Sequence, residues 1–194
     1  MEFRTSLHLS KATSRAKSDV ANKLVSMLLH EISRRVTVKA GGLSVTDPSY
    51  TERVEQSFGH LCLYCGRSLE NDRAAVEHLD GMNRFRLGLH VPGNVAVACI
   101  WCNREKRRDD QRTQLTLAST GWESFLSHDG KRCDPGCKTC AYWLKMLPDA
   151  KARWKHLKEA RRKIHVFRAN FATVIQESEK VRNALHDSVE RLYR

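Results

Sequence analysis

Seven cysteines, at positions 62, 65, 99, 102, 133, 137 and 140, fall into tight local groups in a chain of 194 residues. A disulfide framework spreads its cysteines through the chain and pairs them all, so this odd, clustered set points to metal ligation in a reducing compartment. CLYC at 62–65 and CIWC at 99–102 are two Cys-x2-Cys knuckles, which together can present four thiolates to one tetrahedral zinc. Cys133, Cys137 and Cys140 form a second group that lacks a fourth ligand. His128 is the nearest candidate and His156 the next; the alternative is a satellite cluster of thiols without metal. Between the knuckles lies AVEHLDGMNRFRLGLHVPGN (75–94), rich in polar and basic side chains, and Asn103 follows the last cysteine of the second knuckle directly.

The elements that must hold these residues can be read from periodicity. Apolar Val20, Leu24, Met27, Leu28 and Ile32 recur at three and four, which predicts an amphipathic helix from Ser14 to Val36, ended by Ala40, Gly41 and Gly42. A turn at Asp47-Pro48-Ser49 leads into a short helix over 51–58. The segments 74–79 and 95–100 read as short strands joined by a long loop with Pro92-Gly93, and the charged sequence after Cys99 favours a helix starting at the second knuckle. From Pro148 onward one long helix is expected, with a seam through Ile164, Phe167, Phe171, Val174, Ser178, Val181, Leu185, Ser188 and Leu192. That seam suits packing on the N-terminal helix or a homodimer. The basic run from Lys151 to Arg168 could track phosphates. The expected organisation is an N-terminal helical segment (1–50), a knuckle-bearing core (51–115), a second cysteine-rich subdomain (116–147) and the C-terminal helix (148–194).

Lys and Arg number 34 against 22 Asp and Glu, a net charge of +12, and the isoelectric point is near 9.6. Such a surplus attracts a polyanion, and nucleic acid is the commonest one. With 41% hydrophobic and 29% charged residues the composition is globular. The longest strongly apolar stretch, VAVACIW at 95–101, is far short of the ~20 residues of a spanning helix. The first nineteen residues lack the apolar core of a secretory signal. A soluble, cytoplasmic protein that engages no membrane is the expectation.

The order Cys-x2-Cys, Glu77-His78, Asn94, Cys-x2-Cys-Asn103 resembles the zinc-knuckle branch of the HNH endonucleases, the ββα-metal family, over roughly residues 58–110. The resemblance implies an α+β, mainly helical chain built on a ββα-metal core. It makes His78 the general base, Asn94 the middle Asn of the motif, either in the site or pinning the loop against the backbone near His78, and Glu77 with Asn103 the holders of a catalytic Mg²⁺ or Mn²⁺, while the first four cysteines hold structural zinc. Phosphodiester hydrolysis needs a base for water and a cation for the phosphate, and a neutral His with an oxygen-ligated Mg²⁺ supplies both. The implied substrate is DNA, double-stranded, in a restriction, anti-phage or mobile-element setting.

Three departures stand out. Glu replaces the more usual Asp before the His, which leaves Asp80 as a rival ligand; the usual glycine pair is reduced to Gly88; and His90 has no family counterpart, so it reads as a loop or phosphate contact or as part of the site. Arg84, Arg86, His90, Arg104, Lys106, Arg107 and Arg108 are the expected nucleic-acid contacts, and Tyr64 and Trp101 the expected core residues. Two competing readings are a non-catalytic zinc-stabilised nucleic-acid-binding module and a scaffold that recruits a partner through its C-terminal seam.

Overall fold

The computed structural model describes residues 7–70, 73–109, 121–128, 130 and 133–192. The first six residues of the N-terminal segment, the junction at 115–116 and the side chain of Leu192 lie outside them. The chain is mainly helical with one small sheet: α1 (Leu7–Lys39), α2 (Pro48–Phe58), β1 (Ala74–His78), β2 (Val95–Cys99), α3 (Ile100–Asp109), α4 (Gly121–Phe125), α5 (Lys138–Met146), α6 (Ala150–Ala169) and α7 (Ala172–Leu192). No helix among the described residues is long and apolar enough to cross a membrane.

The two strands pair antiparallel, with Ala74 opposite Cys99 and His78 opposite Val95. The Leu79 amide still donates to the Asn94 carbonyl at 2.8 Å, in register with the ladder, but the Asn94 amide donates to the Val91 carbonyl at 3.0 Å, so the pairing closes there and the chain turns away at Asp80 and Gly81. α3 follows β2 without a linker. Strand pairing therefore fixes where α3 begins, and α3 returns along β1.

α2 starts where Asp47 caps the Ser49 amide at 2.9 Å and Pro48 occupies the first turn, a position that needs no N–H. Its buried face is Tyr50, Val54 and Phe58, one residue per turn. These rings meet α6 and the start of α7: Phe58 and Phe167 lie 5.1 Å apart, Tyr50 and Phe171 5.3 Å. A second aromatic group joins Tyr64 to Phe125 at 5.1 Å and Phe125 to Trp143 at 4.8 Å.

Two expectations about the helices are corrected. α1 does not bury the predicted stripe: Val20, Leu24, Met27 and Leu28 are exposed, and the inward face is Leu29, Ser33, Val36 and Thr37. Ser33 lies on this face, where its hydroxyl bonds the Leu29 carbonyl and accepts the His90 amide at 2.7 Å. The C-terminal region is two helices, broken at Asn170 and Phe171. No Pro or Gly marks the break. α6 packs on α2 and α5, whereas α7 packs on α1, with Phe171, Val174 and Ser178 of the seam buried inside the chain. Lys39 on α1 and Glu177 on α7 pair at 2.7 Å.

Candidate functional site

The first knuckle turns tightly: the Cys62 amide donates to the Arg67 carbonyl at 2.7 Å and the Gly66 amide to the Cys62 carbonyl at 2.9 Å. Gly66 sits at φ +69, and a Cβ there would lie 3.0 Å from the His156 ring, so glycine is required twice over. The second knuckle spans the β2–α3 junction, which brings Cys99 and Cys102 to the same point. The four sulfurs of Cys62, Cys65, Cys99 and Cys102 lie within 4.8 Å of one another. Tetrahedral zinc with Zn–S bonds of about 2.3 Å sets sulfurs about 3.8 Å apart; Cys65 and Cys99 stand at 3.9 Å. Crowding splits the thiols in acidity. Hydrogen bonding with Cys102 and Cys62 drives Cys99 far below its ordinary value, and bonding with Cys62 and Cys65 drives Cys102 far above. A central cation removes that conflict by accepting all four as thiolates.

His128, Cys133, Cys137 and Cys140 form a second set within the same 4.8 Å. Nδ1 of His128 lies 3.4, 3.3 and 3.8 Å from the three sulfurs in chain order, against the ~3.6 Å that mixed Zn–N and Zn–S bonds impose. His156 is not part of this set: its Nε2 meets the Tyr64 carbonyl at 2.8 Å, bracing the first knuckle. α5 links the clusters, because it carries Cys140 and also Tyr142, whose hydroxyl reaches Cys102 Sγ at 3.0 Å. Burial, then the Cys102 sulfur, raises the Tyr142 pKa, so the phenol stays protonated and donates. Both clusters are compatible with structural zinc.

Beside the first cluster opens a cleft of ≈ 370 Å³ lined by Glu77, His78, Asn103 and Lys106, with Met82, Phe85 and Arg107 among its other walls. Adjacent residues on a strand face opposite ways, and Glu77 and His78 share the cleft because β1 ends between them and the turn. Asn103 comes from α3, one turn after the second knuckle begins. Glu77 is buried; Lys106 Nζ lies 2.7 Å from Oε1, the Tyr64 hydroxyl 3.2 Å from Oε1, and Asn103 Nδ2 donates to Oε2 at 2.9 Å. The Asn103 amide also donates to the Val76 carbonyl at 3.2 Å, so its nitrogen is spent on the strand and its Oδ1 is the atom left to ligate. Lys106 donates to the His78 carbonyl at 2.9 Å. His78 Nε2 is 2.9 Å from His90 Nδ1. Burial first, then His90, Lys106 and His30, pull the His78 pKa down to about 3, which keeps the ring neutral at pH 7.

Several sequence expectations change here. Asn94 is 1% exposed and reaches no solvent: Oδ1 accepts the Asp80 amide at 2.7 Å, and Nδ2 donates to the carbonyls of Asp80 at 3.1 Å and Leu89 at 2.6 Å. It pins the loop and cannot touch substrate. Asp80 does not line the cleft, and Arg168 at 3.0 Å and Arg182 at 3.5 Å hold its Oδ2. Arg168 therefore leaves the phosphate-tracking run and anchors the loop to α6. Arg86 and Lys106 are each 2% exposed, too buried to meet a phosphate from solvent. Arg84, Arg104, Arg107 and Arg108 are exposed, although Arg108 pairs with Glu105. Trp101, expected in the core, is 43% exposed on α3. In the basic run, Arg153 holds the Leu147 carbonyl and Arg161 the Ser127 hydroxyl. Gly88 is needed for close approach, because a Cβ there would stand 1.8 Å from the Asp80 carbonyl oxygen.

Lys106 as the partner of Glu77 was missed by sequence reasoning. The signal existed: Lys106 follows Asn103 by three on α3, so both face the strand carrying Glu77. Comparison with protein-family models, with curated proteins and with solved structures finds no match.

Proposed function

We propose that the chain is a metal-dependent endonuclease of HNH type that hydrolyses phosphodiester bonds in double-stranded DNA, with His78 as general base. The observation that carries this reading is the meeting of Glu77, His78 and Asn103 in one cleft. The donor set fits a hard ion: Glu77 offers carboxylate oxygen and Asn103 Oδ1, and Mg²⁺ ordinarily takes one or two carboxylates, with water and phosphate filling the rest. Bound there, Mg²⁺ or Mn²⁺ would supply positive charge to the phosphate and the leaving oxygen. Lys106 already balances Glu77, which favours entry of the ion together with the phosphate over tight binding of the ion alone.

The residues of the chain divide the remaining work. His78 is neutral and half-buried in the cleft wall, so it can accept a proton from water. Arg107 at the lip, with Arg84 and Arg104 exposed nearby in sequence, supports phosphate contact, and the net charge of +12 draws DNA in. The zinc clusters are closed by protein ligands and serve folding: the first fixes β2 against the start of α3, and so holds Asn103 in place.

The Glu77–Lys106 pair also favours a second reading, a zinc-stabilised nucleic-acid-binding module, because a neutralised carboxylate has less need of metal. Incubation of supercoiled plasmid, methylated and unmethylated, with the zinc-loaded protein separates the two. Conversion to nicked or linear DNA only with added Mg²⁺ or Mn²⁺, lost in His78→Ala, supports the nuclease. DNA binding without cutting in either metal on every substrate supports the binding module.

A further inference from the structure

His90 has no role in the chemistry described above, yet it touches the base. His78 has two ring nitrogens, and Nε2 lies 2.9 Å from His90 Nδ1. Only one hydrogen fits between two nitrogens at that distance. If His90 Nδ1 carries it, neutral His78 must hold its own proton on Nδ1 and keeps no lone pair for water. If His78 Nε2 carries it, Nδ1 is bare and can act as a base.

We propose that His90 is a positioning residue: its Nδ1 accepts the Nε2–H of His78, which selects the tautomer with a free Nδ1. The proposal rests on the endonuclease reading of the cleft. In the reaction an O–H bond of the attacking water breaks, its proton forms the N–H bond at His78 Nδ1, the water oxygen's electron pair forms the new bond to phosphorus, and the P–O3′ bond breaks with its electron pair leaving on the 3′ oxygen, which takes a proton from solvent water. The imidazolium so formed still donates Nε2–H to His90, now as a charge-assisted and stronger hydrogen bond. His90 thus keeps its hydrogen bond to the base throughout the transfer without taking the proton itself.

The surroundings hold His90 to this task. Its amide donates to Ser33 Oγ at 2.7 Å, which ties it to the inward face of α1. Its ring stacks at a tilt on His30, with centroids 4.8 Å apart, and on His78 at 5.1 Å. A polar serine on the buried face of α1 is otherwise a poor choice for packing. The contact gives that serine a partner. Gly88 lets the loop approach Asp80 closely enough to bring His90 behind His78.

The test combines spectroscopy with kinetics on the zinc-loaded full chain. Long-range ¹⁵N–¹H NMR of the imidazoles should show His78 protonated at Nε2 and bare at Nδ1 in the wild type, and a mixture of tautomers in His90→Leu. In plasmid nicking with Mg²⁺, His90→Leu should lose about 10²-fold in kcat with KM little changed, the scale of general-base catalysis. His90→Glu, an acceptor of similar reach, should recover most of that loss, whereas a purely structural role would be damaged by either change. A wild-type His78 found protonated at Nδ1 overturns the proposal, as does a His90→Leu rate equal to wild type. If the wild type cuts no DNA, the endonuclease reading fails, and the NMR result alone decides whether His90 sets the tautomer.

Discussion

Replacing Asn94 by alanine should destabilise the protein by about 3–5 kcal/mol. The side chain makes hydrogen bonds of 2.7, 3.1 and 2.6 Å to the Asp80 amide and the Asp80 and Leu89 carbonyls, each worth about 1 kcal/mol net. Alanine removes all of them and leaves buried backbone groups unpaired, at about 1–3 kcal/mol for each that water does not reach. That loss is a large share of the ~5–15 kcal/mol typical of a folded domain. Asn94→Asp retains the acceptor for the Asp80 amide and gains charge opposite Arg168, 3.4 Å from Oδ1, but turns an oxygen toward the two carbonyls, so it should still destabilise. Guanidinium denaturation of zinc-loaded protein, followed by tryptophan fluorescence, gives the difference directly. A loss below about 1 kcal/mol would refute the view that these bonds pin the loop, and full stability with abolished cleavage would return Asn94 to the chemistry.

Elemental analysis of folded protein should find about two zinc per chain, and Cys137→Ser about one; retention of both metals in the variant would remove the second cluster from the zinc sites. Lys106→Met strands the Glu77 carboxylate in a buried site and should cost about 3–5 kcal/mol in denaturation, with much of the loss recovered on adding Glu77→Gln. No recovery in that double variant would mean the two side chains are not coupled. Burial lowers the pKa of His78 to about 3 and also lowers that of His90, while the same residues in the unfolded chain protonate below about 6.5. The unfolded chain therefore binds more protons on acidification, and stability held above that pH falls away as pH drops toward the folded value. Denaturation midpoints between pH 7 and 5 should decline more steeply in wild type than in His90→Leu, and equal slopes would contradict the assignment.

Much of the local structure was legible because it depends on neighbours in sequence. The knuckles announce themselves by spacing, His128 is near enough to complete the second set, and the strand pair with its following helix is written in β-branched runs and a charged helix start. The cleft itself follows from this, since β1 must end at the turn after His78 and α3 must start directly after Cys99. The rotation of α1, the break at Asn170 and the burial of Arg86, Lys106 and Arg168 were not legible. Each depends on a partner far along the chain: Ser33 on His90, α7 on α1, Lys106 on Glu77, and Arg168 on Asp80. Periodicity reports that a helix has an apolar face but not which of two faces finds a surface to cover it. A basic side chain reads alike whether it meets water or a buried carboxylate. By itself, then, the sequence determined the ligands and the short elements that carry them, because covalent spacing limits what nearby residues can reach. Only the tertiary structure decided which charges are spent inside the protein, that Asn94 ties the loop and that His90 meets His78, because those choices belong to packing between distant segments.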